Sequence, residues 1–211
     1  TLFDAEESWI QNTIDEIVME LMRECNIKGC WVYNTIQMYR WDRLAYLKNI
    51  INESKEKNFM LGIKLVRGAY LEKERNRAIK KQYECPIHKT KSETDRDFDT
   101  AIEVIIKNIK NIYLFCGTHN EKSTKLLVDL MLKNKIQNNI KKIFFSQLYG
   151  MSDNISYALK EDNFNVAKYL PYGPIIESIP YLIRRLNENS SVSEHSKKEL
   201  QLIYKEIKSR K

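Results

Sequence analysis

"MLGIKLV", residues 60–66, decides the fold. It is apolar at nearly every position. A half-exposed strand alternates apolar and polar residues, whereas a strand covered on both faces reads as a continuous apolar run. A helical pattern over about 40–56 precedes it. The same pairing recurs along the chain. "TLF" leads into Asp4; "WVYNTIQMY" (31–39) follows a helical pattern at 8–24; "IYLFC" (112–116) follows one at about 94–109. "KIFFSQL" (142–148) follows a helix of about 121–134, and "FNVAKYL" (164–170) precedes a helix from 180, with Pro180 expected in its first turn. Six apolar strands, each followed by a helix, predict a parallel sheet. No glycine-rich nucleotide fingerprint follows a strand. The expected class is therefore α/β, part of a (β/α)8 TIM-like barrel with about six β/α units, and not a doubly wound sheet. One long irregular stretch, "QYECPIHKTKSETD" (82–95), interrupts the alternation.

The 211 residues suffice for one sizeable core. Hydrophobic residues make up 43% and aromatics 10%, which excludes a disordered tail. There are 35 basic and 28 acidic residues, a formal charge of +7. The lysine pairs 80–81, 141–142 and 197–198 are short and lack interleaved aromatics. A solvated lysine-rich surface explains them better than a nucleic-acid site. Cys25, Cys30, Cys85 and Cys116 form no CxxC pair, so reduced thiols of a non-secretory compartment are expected, with Cys116 buried. No apolar stretch approaches the roughly 20 residues of a membrane span, and no signal peptide is visible. The chain opens on Thr1 and a strand, as a piece of a longer protein would.

In a barrel the chemistry sits where strands end. Those positions carry Asp4; Gln37; Lys64, Arg67, Gly68, Ala69 and Tyr70; Thr118, His119 and Asn120; Gln147 and Leu148; and Tyr169. Each alone reads as a hydrogen-bonded rim residue, and His119 as a helix cap. Their collection on one rim raises their interest. His88, His119 and His195 lack partners at ligand spacing, so no metal site is expected. Neither a serine–histidine nor a cysteine–histidine pair is suggested, and Asp4 is the one strand-end carboxylate. A basic, hydrogen-bonding pocket with little acid–base equipment suits an anionic substrate and a cofactor that does its own chemistry. In "PYLIRRLNEN" (180–189), Tyr181, Arg184, Arg185 and Glu188 share one helical face. That face is either a wet surface or a grip for a small anion.

"KLVRGAYLEKE" (64–74), "THN" (118–120), "QLYGM" (147–151), "YLPYGP" (169–174) and "YLIRRLNENS" (181–190) resemble the proline dehydrogenase family in order and spacing, from Asp4 to about Ser191. The resemblance implies a distorted (β/α)8 barrel with FAD at the strand C-termini, of which residues 1–211 form the C-terminal portion, ending in a helix at 193–211. It implies that Arg184 and Arg185 hold the carboxylate of L-proline, that Tyr169, Tyr181 and Leu148 pack on the pyrrolidine ring, and that Asp4 supports the arginine side. Gln37, Lys64, Val66, Ala69, Tyr70, His119 and Glu188 match FAD contacts, with Thr90 and Lys91 near the adenine half. Lys64 replaces an arginine of bacterial members, and Leu71 stands where those often have tryptophan.

The implied reaction is oxidation of L-proline to 1-pyrroline-5-carboxylate, with electrons passed to quinone, often at the mitochondrial inner membrane. Tyr169 favours proline over hydroxyproline. The lysine-rich terminal helix could touch an anionic membrane, although a solvated helix explains it too. The family barrel has two further strands, one carrying an active-site lysine. Roughly a hundred residues or more are expected upstream, along with any targeting segment. Two other readings stay open: a catalytically silent barrel that binds a partner, and a basic nucleic-acid module.

Overall fold

The computed structural model describes residues 1–188 and residue 208, with backbone alone at Glu177 and 184–188. The helix expected over 193–211 falls, residue 208 apart, outside the described residues. Strands β1 (Leu2–Phe3), β2 (Tyr33–Gln37), β3 (Leu61–Val66), β4 (Ile112–Gly117), β5 (Ile143–Leu148) and β6 (Val166–Tyr169) form one sheet. The helices are α1 (Ser8–Cys25), α2 (Arg43–Glu56), α3 (Leu71–Lys81), α4 (Lys91–Lys107), α5 (Glu121–Lys133), α6 (Asp153–Glu161) and α7 (Ile175–Glu188). All five strand pairs are parallel and the strand order is the chain order. A doubly wound sheet reverses its order at a switch point. This one does not, and it curls as an incomplete TIM-like barrel.

In β3, Leu61, Ile63 and Leu65 are fully buried in a core shared with Phe98, Ile102 and Ile105 of α4. The alternate residues, Gly62, Lys64 and Val66, face the inside of the curl. There the Tyr33 ring stands edge-on to Phe115 at 5.3 Å, and Phe115 stacks on Phe144 at 4.7 Å. Tyr33 crosses position 62 to get there. A Cβ on Gly62 would lie 2.2 Å from the Val32 carbonyl oxygen and 2.9 Å from Tyr33 Cγ, so no larger residue fits.

Three boundaries differ from the sequence reading. Residues 71–81 form α3, an additional helix after β3. The irregular stretch shrinks because α4 begins at Lys91, where Thr90 and Glu93 form a capping box. Finally, α7 starts at Ile175, which places Pro180 inside it and not in its first turn. Pro180 has no N–H for the Ile176 carbonyl. Both residues are exposed, so water can serve that carbonyl.

Two buried polar devices fix the first β/α units. The Asn26 side chain, 0% exposed, accepts from the Trp31 and Val32 amides at 2.9 and 3.0 Å and donates to the Val32 and Met60 carbonyls at 2.8 and 2.9 Å. One amide thereby satisfies four backbone groups between α1, β2 and β3. Asn26→Ala is expected to cost about 2–3 kcal/mol, since buried donors and acceptors lose their partner together. Urea denaturation of the purified protein checks this; an unchanged midpoint would contradict it. In the second device, Asp15 of α1 receives Arg43 of α2 through both terminal guanidinium nitrogens, one at 2.7 Å. It also receives Gln11 and Asn34, each at 2.8 Å. The guanidinium lies 4.3 Å over the Tyr46 ring.

Candidate active site at the strand tips

Parallel strands all end at one rim, so their C-terminal residues are neighbours whatever their separation in sequence. The pairing registers set the neighbourhoods. Gln37 pairs with Val66, Lys64 with Phe115, and Leu148 with Tyr169. Past β3 the chain turns at Gly68, with φ of 141°, and a Cβ there would sit 2.3 Å from the Tyr39 ring.

The first cluster joins the two edge strands across the curl. Lys64 Nζ forms an ion pair with Asp4 and lies 5.4 Å from the centroid of the Tyr169 ring. Thr35 donates to the Phe3 carbonyl at 2.6 Å, which holds the segment carrying Asp4. Tyr169 is 5.7 Å from Tyr181 of α7, ring to ring, tilted by 55°. Leu148 is buried beside Tyr169, and the Tyr149 amide donates to the Tyr169 carbonyl at 2.9 Å. Thus Asp4, Lys64, Leu148, Tyr169 and Tyr181 come together at one rim.

Gln37 acts as a strap. Its Nε2 donates to the Glu6 carbonyl at 2.8 Å and its Oε1 accepts from the Ala69 amide at 3.1 Å. Tyr70 OH donates to the Glu6 carboxylate at 2.6 Å. Behind it, fully buried Glu74 accepts from the Ser8 amide at 2.6 Å and the Ser8 hydroxyl at 2.7 Å. A carboxylate from α3 therefore caps α1, whose own N-cap residue, Glu7, makes no capping bond with its side chain. Sequence reading assigns Glu6 and Glu74 no role, because their partners Tyr70 and Ser8 are too distant in the chain to be read from spacing.

A third group surrounds the tips of β3 and β4. Arg67 donates through Nε to Asp95 at 2.6 Å, through one terminal nitrogen to Thr118 at 2.8 Å and through the other to Ser123 at 2.9 Å. Asp95 also receives Lys91 at 2.6 Å. Burial pushes the Asp95 carboxyl up, but the bonds from Lys91 and Arg67 prevail and hold it below the usual carboxylate range. Stability from this group is therefore complete above that range and is lost as pH falls through the lowered value. His119 Nδ1 lies 3.1 Å from the Ser152 hydroxyl, and Nε2 accepts from the Leu148 amide at 3.4 Å. Thr90 commits its hydroxyl to the α4 cap, and Lys91 reaches the β3 and β4 tips through Asp95 and Arg67.

The backbone of α7 follows β6 after a short connection, but the side chains of Arg184, Arg185 and Glu188 lie outside the described ones. Among the described residues no cluster of histidine, cysteine, aspartate or glutamate could hold a metal ion. No described helix is long and apolar enough to cross a membrane.

Fold and site together define a β/α-barrel protein whose strand tips carry ion-paired lysine and arginine side chains beside two tyrosine rings. The profile of the family described as proline dehydrogenase matches residues 1–198. The chain belongs to the proline dehydrogenase family. Its relatives include the carbapenem antibiotics biosynthesis protein CarD of Pectobacterium carotovorum subsp. carotovorum, 38% identical over 98% of this chain and 52% of that protein. The mitochondrial proline dehydrogenase 2 of Arabidopsis thaliana is 38% identical over 99% of this chain and 45% of its own length. The chain thus spans about half the length of these relatives. A crystal structure of proline utilization A from Bdellovibrio bacteriovorus, inactivated by N-propargylglycine, superposes with a TM-score of 0.82. It is 26% identical and is matched over 89% of this chain and 20% of that one.

Proposed function

We propose that this chain forms the C-terminal part of the barrel of a flavin-dependent enzyme that oxidises L-proline to 1-pyrroline-5-carboxylate. The observation that carries the reading is the meeting of Lys64, Asp4, Tyr169 and Tyr181 at the tips of β1, β3 and β6, against the middle of the helix that bears the two arginines. The residues fit a flavin. Gly68, Ala69 and Gly117 keep the rim low beside Val66, where a Cβ on Gly117 would approach Val66 Cγ1 to 3.0 Å. Lys64, Lys91 and the N-termini of α4 and α5 suit its anionic portions. Gln37, Lys64, Val66, Ala69, Tyr70, Thr90, Lys91, His119 and Glu188 are the proposed cofactor contacts. Gln37 contributes largely by fixing the Ala69 segment.

FAD, when bound, supplies a two-electron acceptor for the hydride that leaves the ring carbon next to the amine. The protein positions the substrate. Arg184 and Arg185 fork onto the carboxylate, since two guanidinium groups over-determine its place. Tyr169, Tyr181 and Leu148 flank the ring, and Asp4 orients the cationic side through Lys64. As hydride leaves, the C–N bond becomes an imine and the amine N–H proton passes to water. The amine must be neutral beforehand, so the rate rises with pH. The bulk of Tyr169 favours proline over its hydroxylated analogue. Electron transfer onward to a quinone at a membrane, and a mitochondrial location, belong to the same proposal. The name of the plant relative supports the latter, and the bacterial relative bears no such address.

The test is the visible spectrum of the full-length protein. A yellow protein whose flavin bands bleach on anaerobic addition of L-proline supports the reading. A colourless protein, or bleaching by hydroxyproline alone, overturns it.

A further inference from the structure

Arg67 makes none of the contacts proposed above for cofactor or substrate, yet its guanidinium donates three side-chain hydrogen bonds on the rim. We propose that Arg67 is a positioning residue that sets the spacing of the β3 and β4 tips, and that this spacing determines how tightly and in what setting the flavin is held. The inference rests on the flavin reading. Its basis is the division of labour within one guanidinium. Nε goes to Asp95 on α4, one terminal nitrogen to Thr118 at the β4 tip, and the other to Ser123 on α5. The plane lies 4.3 Å over the Phe98 ring, which fixes its rotation. The backbone carbonyl of Arg67 accepts from the Tyr39 amide at 2.6 Å, which ties in the chain leaving β2.

The partners are themselves committed. Ser123 donates to Asp99 at 2.6 Å, and Thr118 accepts from the Asn120 amide at 3.1 Å. Asp95 shares its carboxylate with Lys91. The two tips joined in this way carry different parts of the proposed cofactor set: Lys64, Val66 and Ala69 on β3, and His119 after β4. Lys91, proposed near the adenine half, is attached to the same carboxylate. One planar group thus links the elements that would meet the two ends of a long cofactor. Lysine cannot reproduce this, because a single nitrogen cannot address three acceptors in a plane.

The experiment uses the full-length protein with Arg67→Met and Arg67→Lys, and Ile105→Val as a core variant that sets the scale of a purely structural loss. FAD affinity of the apoprotein, visible circular dichroism of the bound flavin, thermal midpoint, and KM for L-proline at saturating FAD are measured. Arg67→Met is expected to weaken FAD binding about tenfold or more, in line with the loss of charge-assisted bonds. It should also flatten the flavin dichroism while KM stays within about twofold, with Arg67→Lys intermediate. Arg67→Met with unchanged FAD affinity, but a midpoint lowered as in Ile105→Val, overturns the inference. If Arg67→Met is insoluble, Thr118→Val and Ser123→Ala each remove one arm, and unchanged affinity in both overturns it equally. A wild-type protein that takes up no FAD overturns the functional reading itself.

Discussion

Arg184→Met or Arg185→Met in the full-length enzyme is expected to raise KM for L-proline about a hundredfold while FAD remains bound. Losing one forked, charge-assisted contact to a carboxylate costs on the order of 3 kcal/mol, which corresponds to that factor. The helix bearing these residues begins six residues after β6 and keeps Tyr181 against Tyr169, so the substitution leaves the ring-packing wall in place. The flavin spectrum should therefore persist, and kcat should fall less than kcat/KM. Steady-state kinetics on the purified, flavin-loaded variants decide it. Wild-type KM in both variants would remove the carboxylate clamp from the proposal.

Asp15→Ala is expected to destabilise the protein by about 3–5 kcal/mol, because it leaves the Arg43 guanidinium buried without its counter-charge. Asp15 and Arg43 are 5% and 4% exposed, and Gln11 and Asn34 would lose an acceptor at the same time. The site is on the helix side of the sheet, between α1, β2 and α2. Denaturant unfolding should show the loss. A double variant Asp15→Leu with Arg43→Leu should recover much of it, since an apolar pair of similar volume avoids the desolvation cost of the ions. A double variant as unstable as the single one would mean that the network's hydrogen bonds, and not the stranded charge, dominate.

The order of the β/α units was legible because parallel strands covered on both sides advertise themselves as apolar runs, as "MLGIKLV" does. Strand ends then located the rim, and Lys64, Leu148 and Tyr169 stand on it as read. Helix α3 was missed for an equally physical reason. "LEKERNRAIKK" buries only Glu74 and Ala78, so it lacks the apolar stripe that marks a helix. The start of α4 carried a T-x-x-E capping signal at 90–93 that the surrounding polar residues masked. Pro180 misled because proline favours a first turn, whereas exposure lets an interior position tolerate it. What a sequence cannot reveal is which partner a rim side chain chooses. That Gln37 would tie residue 6 to residue 69, or Arg67 reach Asp95, Thr118 and Ser123, depends on the curl of the sheet.

The agreement between strand order and chain order has a kinetic consequence. Every strand hydrogen-bonds to the one just before it, so each closure bridges one helix, or two between β3 and β4, and its loop-entropy cost grows only slowly with that length. Such a chain can assemble by accretion, unit upon unit, as it leaves the ribosome. The pair β3 and β4 closes the longest of these connections, and Phe98, Ile102 and Ile105 of α4 bury themselves in the core beside it, so this unit can form before the last strand has been synthesised.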